Sequence, residues 1–184
     1  MSGPPDERVG WKLAEDAPWL GAARAQWLRA VRGGRLPHAL LLLGATTLGT
    51  PALADWIARA TLCEKPDRAP CGACDSCALH AAGSHPDVIR VGIREDRKQI
   101  VIEDVRDTIA ALSLKSYRGG RKVAIVCPAD MMNVNGMNAL LKTLEEPGAG
   151  TLLILVAGRA DRLPATIASR CQRLTVAVPA AEVA

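Results

Sequence analysis

Short apolar runs alternate with longer stretches of helical periodicity along this chain. The aliphatic runs are 39–43, 122–126 and 151–157, with extended segments at 85–93, 100–102 and 174–178. Between them, apolar residues recur at three- and four-residue spacing, which places them on one face of a helix. Leu20, Ala23, Trp27, Leu28 and Val31 predict a helix over 19–32, ended by Gly33-Gly34. Leu53, Trp56, Ile57 and Ala60 predict one over 52–62, and Val105, Ile109 and Leu112 one over 103–114. Ala139, Leu140, Leu141 and Leu144 predict a short helix from Asn138, stopped by Pro147 and Gly148, and another is expected within 162–171. Buried strands alternating with helices imply an α/β fold, a parallel sheet flanked by helices. In such a sheet the crevice at the carboxyl ends of the strands is where a ligand would sit.

Composition narrows this picture without redirecting it. The chain has 184 residues, 49% of them apolar and 23% charged, enough for one domain with its own core. Phe is absent and there is one Tyr, so that core must be aliphatic. A net charge of +4 permits a nucleic-acid partner and does not demand one. The first residues carry no apolar signal-type segment, and the longest aliphatic run is too short to span a bilayer, so a cytoplasmic protein without a membrane partner is expected. Residues 1–18, rich in Pro, Gly and charge, read as a flexible lead-in to a core over 19–184.

The stretch Gly44 to Pro51, GATTLGTP, lies between the first strand and its helix. Strand, glycine-bounded loop, helix is the setting of a phosphate-binding loop, and Gly44 and Gly49 stand at its G-x-x-x-x-G spacing. The next two positions depart from it. Thr50 replaces the lysine that reaches the β- and γ-phosphates, and Pro51 replaces the Ser or Thr that holds Mg²⁺. The strand 122–126 should end in acidic residues for metal and water, yet it ends in Cys127 and Pro128, with Asp130 displaced by three positions. The site is expected to be degenerate, with no functional ATP binding.

Cys63, Cys71, Cys74 and Cys77 are spaced C-x7-C-x2-C-x2-C. Four thiolates at this spacing can close a tetrahedral Zn²⁺ site, and a site filled by protein ligands is structural. Iron–sulfur ligation also uses Cys-rich runs, but Pro66 and Pro70 suit a rigid knuckle and zinc is preferred. The insert is placed at about 63–80, with His80 and His85 read as neighbours, one of them standing as an alternative to a Cys ligand. His38, entering a strand, is read as structural. The basic loop 115–121, with the single Tyr, is either solvated or a contact for phosphate or a partner.

The lead into the first strand (RLPHALLLLG), the four-Cys insert after the next helix, the ungapped NALLKTLEEP and the SRC at 169–171 together resemble the bacterial clamp-loader AAA+ proteins, over about 19–178. HPD at 85–87 and IVIEDVR at 100–106 add to the likeness. That family contains ATP-hydrolysing motor subunits, gamma and tau, and a non-hydrolysing partner. The departures at Thr50-Pro51 and Cys127-Pro128 point to the latter. The resemblance implies an AAA+ core and a part of DNA polymerase III that is not an enzyme by itself. It implies a role in loading the sliding clamp on primer-template DNA alongside gamma/tau and delta. Arg170 would act in trans as an arginine finger on a neighbour's ATP, with Ser169 and Cys171 shaping the motif. The lid and collar that follow in the family lie beyond Ala184, so the chain is expected to be a piece of a longer protein. Two other readings are a divergent P-loop ATPase using Asp130 for Mg²⁺ and a zinc-knuckle nucleic-acid adaptor, the latter weakened because the insert lacks an aromatic for stacking.

Overall fold

The computed structural model describes residues 17–176, so the expected lead-in falls mostly outside the described residues, as does the end of the last expected strand. A single 3-10 turn over Pro18–Leu20 leads into α1 (Gly21–Arg32). Then follow β1 (Ala39–Leu43), α2 (Thr50–Leu62), α3 (Asp75–Ala81) and β2 (Val88–Val91). The chain continues through α4 (Ile102–Ser113), β3 (Lys122–Val126), α5 (Val134–Glu145), β4 (Thr151–Ala157), α6 (Ala165–Ala168) and β5 (Gln172–Thr175).

The five strands form one sheet in the order β2-β3-β4-β1-β5, and every pairing is parallel. The chain leaves β1 for one edge of the sheet and returns with β5 on its other side, so β1 is the switch point. Alternate residues divide the core into two layers, as a pleated strand buried on both faces requires. Leu40, Leu42, Val123, Ile125, Leu152 and Ile154 face α1, α2 and the Cys-rich insert. Leu41, Ala124, Val126, Leu153, Leu155 and Ala157 face α4, α5 and α6. The expected α/β parallel sheet flanked by helices is therefore the fold.

Three local expectations are corrected. Residues 100–102 are not a strand: Ile100 makes one isolated bridge to Met132, and Ile102 already opens α4. The helix expected from Asn138 begins four residues earlier, because Asn133 caps it, its Oδ1 accepting from Gly136 N at 2.8 Å. The helix expected within 162–171 is four residues long, preceded by a separate 3-10 turn at Ala160–Arg162. Among the described residues no helix is long and apolar enough to cross a membrane.

Candidate functional site

The glycine-bounded loop leaves the carboxyl end of β1 between the ends of its two neighbours. Gly44 N donates to Ala157 O at the end of β4, and Val176 N after β5 donates to Leu43 O. The loop then closes on itself. A 3-10 turn over Thr46–Leu48 sends Leu48 N to Ala45 O and Gly49 N to Thr46 O, and Gly49 takes a left-handed conformation (φ 79°) to enter α2. These amides are donors a phosphate would need, and they are spent on the loop's own carbonyls. Thr50 is fully buried, and its hydroxyl lies 3.2 Å from Ala45 O and 3.4 Å from Gly44 O. Gly44 is required by this closeness: a Cβ there would lie 2.9 Å from both Thr50 Cγ2 and Val176 O. Pro51 is buried in the first turn of α2, where its missing N–H costs nothing. Trp19, read from the sequence only as the start of a helix, pins the loop from outside, its Nε1 donating to Leu48 O at 3.0 Å.

Cys127 and Pro128 stand at the end of β3 as expected. Burial, reinforced by the charge of Asp130, pushes the Cys127 thiol up to about 12, so it offers no thiolate at neutral pH. Asp130 is turned toward the segment after β4, where its Oδ2 accepts from Arg159 N at 3.0 Å. Its Oδ1 is buried without a hydrogen-bond partner.

The four cysteines come together. Cys63 follows α2, Cys71 sits on a turn that needs Gly72 (φ 72°), Cys74 caps α3 and Cys77 lies in its first turn. All four Sγ atoms lie within 4.8 Å of one another, with Cys63 and Cys74 at 4.0 Å. A tetrahedral Zn–S₄ centre places its sulfurs about 3.8 Å apart, so the set fits a metal ion of that kind. Backbone amides already point at the sulfurs: Lys65 N and Cys71 N at Cys63, Cys74 N at Cys71, and Cys77 N at Cys74. Such N–H···S bonds spread the negative charge of a thiolate cluster. Ala73 N–H, then Cys74 N–H, hold the Cys71 thiol down to about 6, whereas burial pushes Cys63 up to about 12. A cation is what would let all four ionise together.

His80 and His85 are indeed not in the sulfur cluster, and each anchors the insert. His80 Nε2 meets Asp55 Oδ2 at 2.8 Å, and Arg90 Nη2 meets Asp55 Oδ1 at 2.6 Å, tying α3 and β2 to α2. His85 Nδ1 accepts from Asp87 N at 3.1 Å, so Nε2 carries the proton and donates to Ser76 Oγ at 2.9 Å, which in turn donates to Leu62 O at 2.7 Å. Burial lowers the His85 pKa, in keeping with this neutral form.

Asp87, the third residue of HPD, is almost wholly buried and gathers the basic loop. Its carboxylate accepts from Tyr117 N (2.8 Å), Ser116 Oγ (2.9 Å) and Arg118 N (3.1 Å), and Arg118 reaches on to Glu64 at 2.7 Å. The loop over 115–121 is thus fastened to the insert, although Tyr117 itself is exposed. Burial alone would raise the Asp87 pKa, but these three donors outweigh it and hold it below the ordinary carboxylate range. A depressed carboxyl contributes stability that is full above its unfolded value near 3.9 and is lost as pH falls through the lower folded value. Asp87→Ala is expected to cost about 2–4 kcal/mol at pH 7 and to reduce the loss of stability between pH 4 and pH 2. Urea midpoints across that range check it, and a variant as stable as the parent at pH 7 would show that the clasp contributes nothing.

Arg170 lies between α6 and β5. Its Nη1 donates to Thr166 O at 2.8 Å and its Nη2 to Glu145 Oε1 at 2.8 Å. Ser169 Oγ donates to Thr166 O, and Cys171 is buried among the residues facing α5, where burial pushes its thiol up to about 11. The two flanking residues are thus held by a local hydrogen bond and by burial, while the arginine is a third exposed. Gln172 is level with Leu40, at the amino end of β1, whereas Gly44 follows its carboxyl end. At about 3.3 Å per residue, the start of β5 and the glycine-bounded loop are separated by roughly 13 Å along the strands. The sequence-singled residues thus divide into two ends: the loop with Cys127, Pro128 and Asp130 at the carboxyl end, Arg170 with Ser169 at the amino end.

Comparison with known proteins follows the same lines. A family model described as DNA polymerase III, delta subunit, matches residues 21–180. The chain is 41% identical to the DNA polymerase III subunit delta' of Pseudomonas aeruginosa, over 92% of this chain and 51% of that protein. It is 35% identical to the corresponding subunit of Escherichia coli, over 88% of this chain and 49% of that one. With the tau subunit of Salmonella typhimurium it shares 36% identity over 75% of this chain and 21% of tau. A crystal structure of a gamma subunit-related protein from Thermotoga maritima matches the fold at a TM-score of 0.55 and 23% identity, over 85% of this chain and 47% of that one. The chain spans about half the length of the delta' relatives it matches. The motifs that resembled the clamp loader in the sequence and the match over 21–180 agree, and the chain belongs to the DNA polymerase III delta subunit family.

Proposed function

We propose that this chain is the AAA+ core of a delta-prime-type clamp-loader subunit that does not hydrolyse ATP and presents Arg170 to ATP held by a neighbouring gamma or tau subunit. The observation that carries this reading is the placement of Arg170 at the opposite end of the sheet from the chain's own glycine-bounded loop. From there its guanidinium is remote from the chain's own loop, which favours action on a neighbour's site. A fixed guanidinium offered across a subunit boundary neutralises charge developing on the transferred phosphoryl group. The loop favours the same division of roles, because the amides of Leu48 and Gly49 and the Thr50 hydroxyl donate to the loop's own carbonyls and so are not offered to a phosphate.

In this reading the subunit acts with gamma/tau and delta in the cytoplasm, and meets the sliding clamp and primer-template DNA through the complex. Cys63, Cys71, Cys74 and Cys77 would hold a structural Zn²⁺ that locks the insert. The test is titration calorimetry of the full-length protein with Mg·ATP, where no binding heat is expected. Thr50→Lys alone should not create hydrolysis, since Pro51, Cys127 and Pro128 remain. Micromolar, magnesium-dependent binding would instead favour the divergent ATPase, for which the one supporting observation is the unpartnered Oδ1 of Asp130.

A further inference from the structure

We infer that Glu145 is the positioning residue of Arg170. This inference rests on the trans arginine proposed above and adds the group that holds it in place. The helix that carries the arginine is unsuited to fixing it: α6 has four residues, and Arg170 lies two residues beyond its end. A side chain on so short a support would sample many rotamers. Two contacts remove that freedom. Nη1 is held by Thr166 O of α6 and Nη2 by Glu145 Oε1, each at 2.8 Å.

Glu145 closes the twelve-residue α5, whose Leu140 and Leu144 are buried against the sheet. The guanidinium is therefore referenced to the core and not only to its own turn. A planar group held at two terminal nitrogens has its plane set, and each of those nitrogens retains one outward N–H for a phosphoryl oxygen. The carboxylate is half exposed beside the arginine, and the role inferred for it is to hold the guanidinium and not to touch nucleotide. Its residue type is matched to the role, since a carboxylate or a carboxamide oxygen can accept the same N–H.

The experiment uses the full-length protein assembled with its motor subunits, comparing wild type, Glu145→Ala, Glu145→Gln and Arg170→Ala for DNA- and clamp-stimulated ATP turnover. Glu145→Ala should lower kcat about three- to tenfold with KM for ATP unchanged, because the pair is a partly exposed one and ATP is bound by the neighbour. Glu145→Gln should stay within about twofold of wild type, because it keeps the acceptor. In the Glu145→Ala protein the Arg170 Nη resonances, restricted in the wild type, should show free rotation. If Arg170→Ala lowers turnover and Glu145→Ala does not, the positioning role is overturned while the trans arginine stands. A Glu145→Ala defect confined to KM or to assembly overturns it too, since that is a structural effect. If Arg170→Ala itself leaves turnover unchanged, both readings fall.

Discussion

Under the proposed function, replacing Arg170 with alanine is expected to lower ATP turnover at the interface with a motor subunit by on the order of 10³-fold or more, about 4 kcal/mol or more of transition-state stabilisation. The guanidinium contributes charge, planarity and directed donors at once, so Arg170→Lys should recover only part of the rate. The protein should meanwhile stay folded. The side chain is a third exposed, and its ion pair with Glu145 is of the surface kind, worth about 1 kcal/mol or less. The pairing of a large kinetic loss with an unchanged melting temperature is what separates a trans catalytic arginine from a structural one. Single-turnover hydrolysis in the assembled complex, with the melting curve of the isolated subunit beside it, reads both. A rate unaltered by Arg170→Ala would remove the central claim of the proposed function.

Loss of the metal is the second large expected effect. Elemental analysis should find close to one zinc per chain, and chelation or Cys77→Ser should destabilise the protein by about 5 kcal/mol, below the 10–16 kcal/mol of isolated zinc fingers because the sheet supplies part of the fold. For a domain of this size that is a fall in melting temperature of about 10–20 °C. The unravelling should be ordered. Amides of α3 and the 63–74 segment should exchange first, followed by the loop over 115–121, which reaches the insert through Arg118–Glu64 and the Asp87 clasp. The sheet, packed on both faces, should be the last to open. A metal-free protein that melts where the native one does would sink the assignment.

Much of this architecture was legible in the sequence because its signals are local. The strands at 39–43, 122–126 and 151–157 were bounded correctly, since uninterrupted aliphatic runs between turn residues leave little choice of element. The four cysteines were equally readable, as ligand spacing is a property of the chain itself. The errors arose where tertiary contact overrules periodicity. Ile100 to Ile102 has strand-forming residues, yet Asp104 Oδ2 accepts from Val101 N and draws the segment into the start of α4. α5 starts four residues before the apolar spacing predicts, because Asn133 caps it outside the periodic stretch. The contacts that matter most to the site could not be read at all. Asp87 meets its loop partners about thirty residues away, and Glu145 meets Arg170 across twenty-five. No spacing rule connects such positions. The HPD and LEEP motifs signalled that something was there, and only the fold shows which atoms meet.

The placement of the closed loop and Arg170 at opposite ends of one parallel sheet has a consequence for polarity. In a head-to-tail row of related units, each must offer its arginine face to the next and accept the face of the one before. Under the proposed function this chain does the first, while its own loop, closed by the Thr50 hydroxyl, would give an incoming arginine no phosphate to act on. Under the proposed function it is a terminus with a fixed direction: one flank reads a neighbour's nucleotide, and the other is released from nucleotide chemistry altogether. On that proposal, an arc of subunits ending in such a unit would have one boundary at which no nucleotide is hydrolysed.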